Sequence, residues 1–89
     1  MKVLYDKRFY EDIKVLKDLE LKRRLEKLIN KIEVANSLND IPNLIKIKGS
    51  QNAFRVRLGD YRLGIFTDKS QVKLIRFLHR KEIYKYFPE

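Results

Sequence analysis

The chain has 89 residues, 44% of them hydrophobic, no cysteine, and a formal net charge of +9. That length bounds it to one small domain, residues 1–89, with a single modest core. Without cysteine there is no disulfide framework, no thiolate zinc site and no cysteine nucleophile.

Lys2-Val3-Leu4-Tyr5 reads as a short first strand. Phe9, Ile13 and Leu16 recur at helical spacing, which predicts a helix capped by Asp6 and running to near Lys17. A second, stronger helix is predicted from Asp18 or Leu19 to Ala35. Leu21, Leu25, Leu28, Ile29 and Ile32 form its apolar stripe, and Lys22, Arg23, Glu26, Lys27 and Lys31 its wet side. Asn36 suits a left-handed C-terminal cap, and Asn39-Asp40-Ile41-Pro42-Asn43 is a loop. Together the helices make a hairpin expected to pack on one face of a sheet. Leu44 to Gly49 alternates weakly, as a strand or an extended lead-in.

Residues 53–66 carry the clearest pattern in the chain. Phe54, Val56, Leu58, Tyr61, Leu63 and Ile65 alternate with Arg55, Arg57 and Arg62 around Gly59-Asp60. Side chains on a strand point alternately to opposite faces, so the apolar set shares one face and the arginines the other. A two-residue loop with glycine first suits a type II′ turn and sets Leu58 against Tyr61 and Arg57 against Arg62. Like charges placed directly opposite destabilise a sheet. An anionic ligand would give that placement a reason.

A turn at Asp68-Lys69-Ser70-Gln71 leads to a last strand at Val72–Leu78. Its faces do not sort: Val72, Leu74 and Leu78 fall with Arg76, and Ile75 and Phe77 fall with Lys73 and His79. Lys81 to Phe87 reads as a short helix stopped by Pro88, with Ile83 and Phe87 buried and Tyr84 freer. One strand, two helices, then a run of strands is an α+β plan: a two-helix hairpin on a mostly antiparallel sheet of about four strands, with a short C-terminal helix. The arginine face is expected to be open. No apolar run is long enough to span a bilayer, and the first residues lack a signal peptide's apolar stretch, so a cytoplasmic protein with no membrane partner is expected.

The charge is uneven. Residues 1–44 hold ten Lys/Arg against eight Asp/Glu, whereas residues 45–89 hold eleven against four. The excess therefore travels with the arginine hairpin and favours a polyanion or an acidic protein partner. Guanidinium groups bind phosphate bidentately and stay charged at physiological pH, which makes Arg55, Arg57 and Arg62 the first candidates. Lys46 and Lys48 lie just upstream and can add phosphate contacts. In His79-Arg80-Lys81-Glu82-Ile83-Tyr84, Arg80 can join the phosphate set, His79 can exchange protons near neutrality, and Tyr84 can stack on an RNA base. No carboxylate cluster has metal-ligand spacing and there is no glycine-rich phosphate loop, so no metal or other cofactor is expected.

Phe54-Arg55-Val56-Arg57-Leu58-Gly59-Asp60-Tyr61-Arg62-Leu63, followed by His79-Arg80-Lys81-Glu82-Ile83-Tyr84, resembles the RelE/ParE superfamily of type II toxin–antitoxin toxins. The likeness covers nearly the whole chain, and the set of site residues is that of the RelE-like branch. The resemblance implies a ribosome-dependent mRNA endonuclease that cuts in the A site and inhibits translation, held in a hetero-oligomer by a cognate antitoxin. A ribose 2′-OH would attack the adjacent phosphate and expel the 5′-oxygen. Arg57 and Arg62 would stabilise the transition state, Arg80 the leaving group, and Tyr84 would stack on a base. Arg55, Lys46, Lys48 and Lys81 would help hold the RNA. The best-known RelE-type pattern has lysines where this chain has Arg55 and Arg57, one of them the general base. Arginine effectively cannot deprotonate, so the base falls to His79, or to Lys81, or the ribosome contributes by orienting the RNA. Two alternatives stay open: a ParE-type toxin that poisons gyrase, and a non-catalytic RNA-binding module.

Overall fold

The computed structural model describes residues 1–68 and 70–88. Its elements are β1 (Lys2–Tyr5), α1 (Lys7–Lys14), α2 (Leu19–Val34), a 3-10 turn (Leu38–Asp40), β2 (Leu44–Lys46), β3 (Ala53–Leu58), β4 (Tyr61–Thr67), β5 (Gln71–His79) and α3 (Ile83–Tyr86). Of the expected turn at residues 68–71, Lys69 lies outside the described residues.

Asp6 starts α1 as expected, accepting the Arg8 N–H at 2.9 Å. The helix ends three residues short of the predicted Lys17. Asp18 must be extended to cap α2, where it accepts the Leu21 N–H at 3.1 Å, so Val15–Lys17 form the corner. Asn36 is not left-handed. Ala35 leaves α2 with φ −65° and ψ 139°, and the Asn36 N–H donates to the Asp40 carboxylate at 3.0 Å. The Met1 amino group, rather than a left-handed cap, meets the end of α2, donating to Glu33 O at 2.7 Å and Ala35 O at 2.9 Å. A cation there complements the helix dipole.

The mostly antiparallel sheet expected from the sequence has five strands, in the order β1-β5-β4-β3-β2, the lead-in at Leu44–Lys46 being the short edge strand. Strand β1 pairs parallel with β5, and every other pair is antiparallel. On one face, Phe9 of α1 and Leu21, Leu25, Leu28 and Ile32 of α2 close over Val56, Leu63, Ile65, Val72, Leu74 and Phe77. The apolar stripe of α2 and the apolar face of the hairpin thus meet as predicted.

The opposite face is only half open, which corrects the sequence expectation. Ala53, Ile75, Ile83 and Phe87 form a second buried cluster there, with Ile47, Phe66 and Leu78 against it. A register shift explains why β5 resisted a face assignment. Ile65 pairs with Leu74 but Gly64 with Arg76, so Ile75 is the extra residue of a bulge. The bulge resets the alternation, sending Val72, Leu74 and Phe77 to one core and Ile75 and Leu78 to the other.

Two contacts hold the second face in place. The Phe87 ring lies over Gly64 so closely that a Cβ on Gly64 would meet it at 2.7–2.9 Å. A Gly64→Ala change should therefore overpack this cluster, lowering stability by about 1–3 kcal/mol and loosening α3; chemical denaturation reads the first effect and amide hydrogen exchange across residues 83–86 the second. Asp12 of α1 supplies the second contact. Its buried carboxylate accepts Arg76 Nε at 2.8 Å, Arg76 Nη2 at 3.0 Å and the Phe77 N–H at 2.9 Å. The Arg76 guanidinium in turn lies 5.4 Å from the centre of the Tyr86 ring. A helix, the exposed half of β5 and α3 are so tied through one ion pair.

Candidate active site

The hairpin has the expected register, with Leu58 opposite Tyr61 and Arg57 opposite Arg62. Gly59 has φ 60° while Asp60 does not have positive φ, which is the type II′ pattern. Arg55 pairs with Gly64, two residues from Arg57, so all three arginines stand on the face opposite the helices. The second core covers the Ala53 and Phe66 end of that face and leaves the turn end bare. The arginines thus line the border between a packed surface and an open one.

Local contacts fix their heads. Arg62 Nη1 donates to Gly59 O at 2.8 Å and Tyr61 O at 2.9 Å, tying it to the turn. Its other two nitrogens meet no protein acceptor among the described residues. The first residue after β5, Arg80, arrives beside the same turn, donating its N–H to Asp60 O at 2.7 Å. Its Nε lies 3.9 Å from the Asp60 carboxylate, both side chains being largely exposed. Such a pair contributes little and leaves Arg80 able to turn to a ligand. From α3, Tyr84 accepts a hydrogen bond from Arg55 Nε at 3.1 Å. Tyr84 is 59% exposed while Ile83 beside it is fully buried, so α3 is anchored by one residue and presents the next.

Arg62 is the electrostatic centre of this group. Burial holds its guanidinium below the ordinary arginine value; repulsion from Arg55, and then from Arg57 and Arg80, adds to the effect, while Tyr84 opposes it. Arginine stays a cation at neutral pH all the same. Four guanidiniums at mutual cost are what a bound phosphate relieves.

Lys46 and Lys48 join the set at one side. With Ile45, Ile47, Arg55 and Tyr84 they line a groove of about 340 Å³. Lys46 pairs with Phe54 and Ile45 with Arg55, so Lys46 starts from the other face and meets the groove at the sheet edge.

His79, expected as a candidate general base, is not brought to the arginines. It pairs with Tyr61 and packs edge-on against that ring at 5.6 Å, on the face that carries the helices. Its Nδ1 accepts the Lys81 N–H at 3.1 Å, which places the proton of the neutral ring on Nε2. Lys81 is exposed beside it and has no contact with the arginines among the described residues.

One feature escaped the sequence reading. Arg24, Lys27 and Lys31 of α2 line a second groove of about 270 Å³ with Arg57, Pro42 and Asn43, and Arg24 lies against the Gly59 turn. The positive surface therefore continues from the hairpin onto α2. The spacing of 24, 27 and 31 is the signal that could have found it, since those positions share a helix face. Among the described residues, no three His, Cys, Asp or Glu side chains gather where a metal ion could sit, and no helix is long and apolar enough to cross a membrane.

No family model matches the chain. Toxin RelE3 of Methanocaldococcus jannaschii is 42% identical to it over 89 residues, which are 99% of this chain and 100% of that protein. Among solved structures, a RelB-RelE antitoxin-toxin complex from Methanococcus jannaschii superposes with TM-score 0.81 at 38% identity, covering 96% of this chain and 99% of that one. The archaeal RelE-RelB complex from Pyrococcus horikoshii OT3 gives TM-score 0.72 at 21% identity over 92% and 97% of the two chains. The YoeB dimer from Staphylococcus aureus gives 0.69 at 19% identity over 85% and 92%. The last two likenesses concern the fold.

Proposed function

This chain belongs to the RelE toxin family, and we propose that it is the toxin of a type II toxin–antitoxin pair that cuts mRNA in the ribosomal A site. The observation that supports this reading best is the convergence of Arg55, Arg57, Arg62, Arg80 and Tyr84 from β3, β4, the residue after β5 and α3 on the open half of one sheet face. A toxin acting by protein contact on gyrase has no need of those five residues together. An RNA-cleaving one does.

In the proposed reaction the 2′-OH of one nucleotide loses its proton and attacks the adjacent phosphorus. The bond to the 5′-oxygen breaks, leaving a 2′,3′-cyclic phosphate on one fragment and a 5′-hydroxyl on the other. Negative charge accumulates on the non-bridging oxygens, which Arg57 and Arg62 face, and on the leaving oxygen, which Arg80 can reach from the turn. Arg55, Lys46 and Lys48 hold the flanking phosphates, and the exposed Tyr84 ring offers a stacking surface. The partner in the uncut state is a cognate antitoxin, as in the RelB-RelE complexes of the relatives. An acidic segment would neutralise the basic face, and the site of action would be the cytoplasm.

Brief expression followed by transcript-end mapping on translating ribosomes tests this reading. New ends phased with the reading frame, absent from an Arg62→Ala strain, are expected. Intact transcripts with gyrase-dependent DNA breaks would overturn it in favour of the ParE-type alternative.

A further inference from the structure

The proposed cleavage is confined to the hairpin face, but the positive surface is not. We infer that the groove between α2 and the hairpin is a second RNA-binding site. In it Arg24, Lys27 and Lys31 hold a run of phosphodiester backbone other than the phosphate that is cut. The nature of this polyanion rests on the nuclease reading above.

The charges of α2 are sorted by face. Arg24, Lys27 and Lys31 line the groove beside Arg57 and Asn43, and none of the described residues lining it is acidic. The carboxylates Glu26 and Glu33 fall instead to a separate groove against α1, and Glu20 lies near Arg23. All three groove cations are exposed, and among the described residues none of them has an ion pair. Lys27 and Lys31 stand at i, i+4 and Arg24 and Lys27 at i, i+3, spacings at which like charges weaken a helix. The fold gains nothing from that arrangement. A bound polyanion relieves the repulsion and gains the counterions these cations release.

The turn joins this groove to the proposed active site. A Cβ on Gly59 would lie 3.2 Å from Arg24 Nη1, and the Gly59 carbonyl accepts Arg62 Nη1 at 2.8 Å. One residue thus stands between the central guanidinium of the site and the first cation of the groove. From Arg24 to Lys31 the helix rises about 10 Å, a few nucleotide steps at about 3.4 Å each. No aromatic side chain is among the described residues lining the groove, in contrast to the exposed Tyr84 ring. Such a site grips backbone without reading bases, so its hold is indifferent to the codon being cut.

The test compares wild type with Lys27→Gln/Lys31→Gln, which leaves Arg24 and the turn untouched. Single-turnover cleavage is followed at increasing concentrations of purified, mRNA-programmed ribosomes. The half-saturating concentration should rise about tenfold at about 0.1 M salt, with the maximal rate unchanged. The slope of log affinity against log salt should flatten by about 1.5, as for two lost phosphate contacts. Lys27→Arg/Lys31→Arg should restore both. Lys7→Gln/Lys14→Gln removes the same charge from exposed positions on α1 and should leave both near wild type. Messages ending just after the A-site codon separate the two sources of backbone. A defect that persists on them places ribosomal RNA in the groove, and one that disappears places the downstream message there. Half-saturation within twofold of wild type would overturn the site, and an equal defect in the α1 variant would overturn it in favour of net charge alone. Cosedimentation with ribosomes reads the same affinities without cleavage. If wild type binds and does not cut, the nuclease reading falls while the groove is still tested.

Discussion

Arg62→Ala should reduce cleavage by about 10²–10³-fold with little loss of stability, the scale seen when one preorganised donor to a developing anion is removed. Arg62 stands at the centre of four guanidiniums with its Nη1 fixed by the turn carbonyls, so its remaining donors are already aimed before RNA arrives. Removing it also relieves repulsion among Arg55, Arg57 and Arg80, so thermal stability should hold or rise slightly. Single-turnover rates and a melting curve measured on one preparation separate the two effects. Lost activity with a lowered melting temperature would instead make Arg62 a structural residue.

Asp12→Ala should be the most destabilising single change on the surface side of the core, at about 3–5 kcal/mol, the usual loss when one member of a buried pair is removed. The Arg76 side chain is only 16% exposed, and the change removes two of its hydrogen bonds together with the acceptor of the Phe77 N–H. Its effect should reach the active site, because Arg76 stacks against Tyr86 on α3 and α3 carries Tyr84. Denaturant titration gives the free energy. A loss below about 1 kcal/mol would mean that water replaces the carboxylate without difficulty, as at an exposed pair.

The hairpin was fully legible in the sequence, down to the pairing of Arg57 with Arg62, because strict alternation and a glycine-first turn leave one register. So were the stripe of α2 and the buried Ile83 and Phe87 pair. What alternation could not show was the bulge at Ile75, since one inserted residue turns two clean patterns into two mixed ones. The cover over half of the arginine face was hidden for a related reason: a one-turn helix gives too few residues to reveal which surface it docks on. Gly64 looked like any strand glycine until the Phe87 ring was seen above it. Sequence neighbours could not place His79: Arg80 and Leu78 belong to the site and to the second core, while strand parity sends His79 itself the other way. No local pattern could pair Asp12 with Arg76, which lie 64 residues apart. For the candidate site the arginines and Tyr84 were readable as residue types. The Arg55–Tyr84 hydrogen bond was not.

The most direct measurement uses a short mRNA with its A-site codon exposed on purified ribosomes and a single 2′-deoxynucleotide at the cleaved position. The all-ribose message should be cut to a 2′,3′-cyclic phosphate and a 5′-hydroxyl, and the deoxy-substituted message should stay whole, because the attacking oxygen is missing. Equal cutting of both messages, or 3′-hydroxyl and 5′-phosphate ends, would contradict attack by the 2′-OH and with it the role assigned to the arginine site.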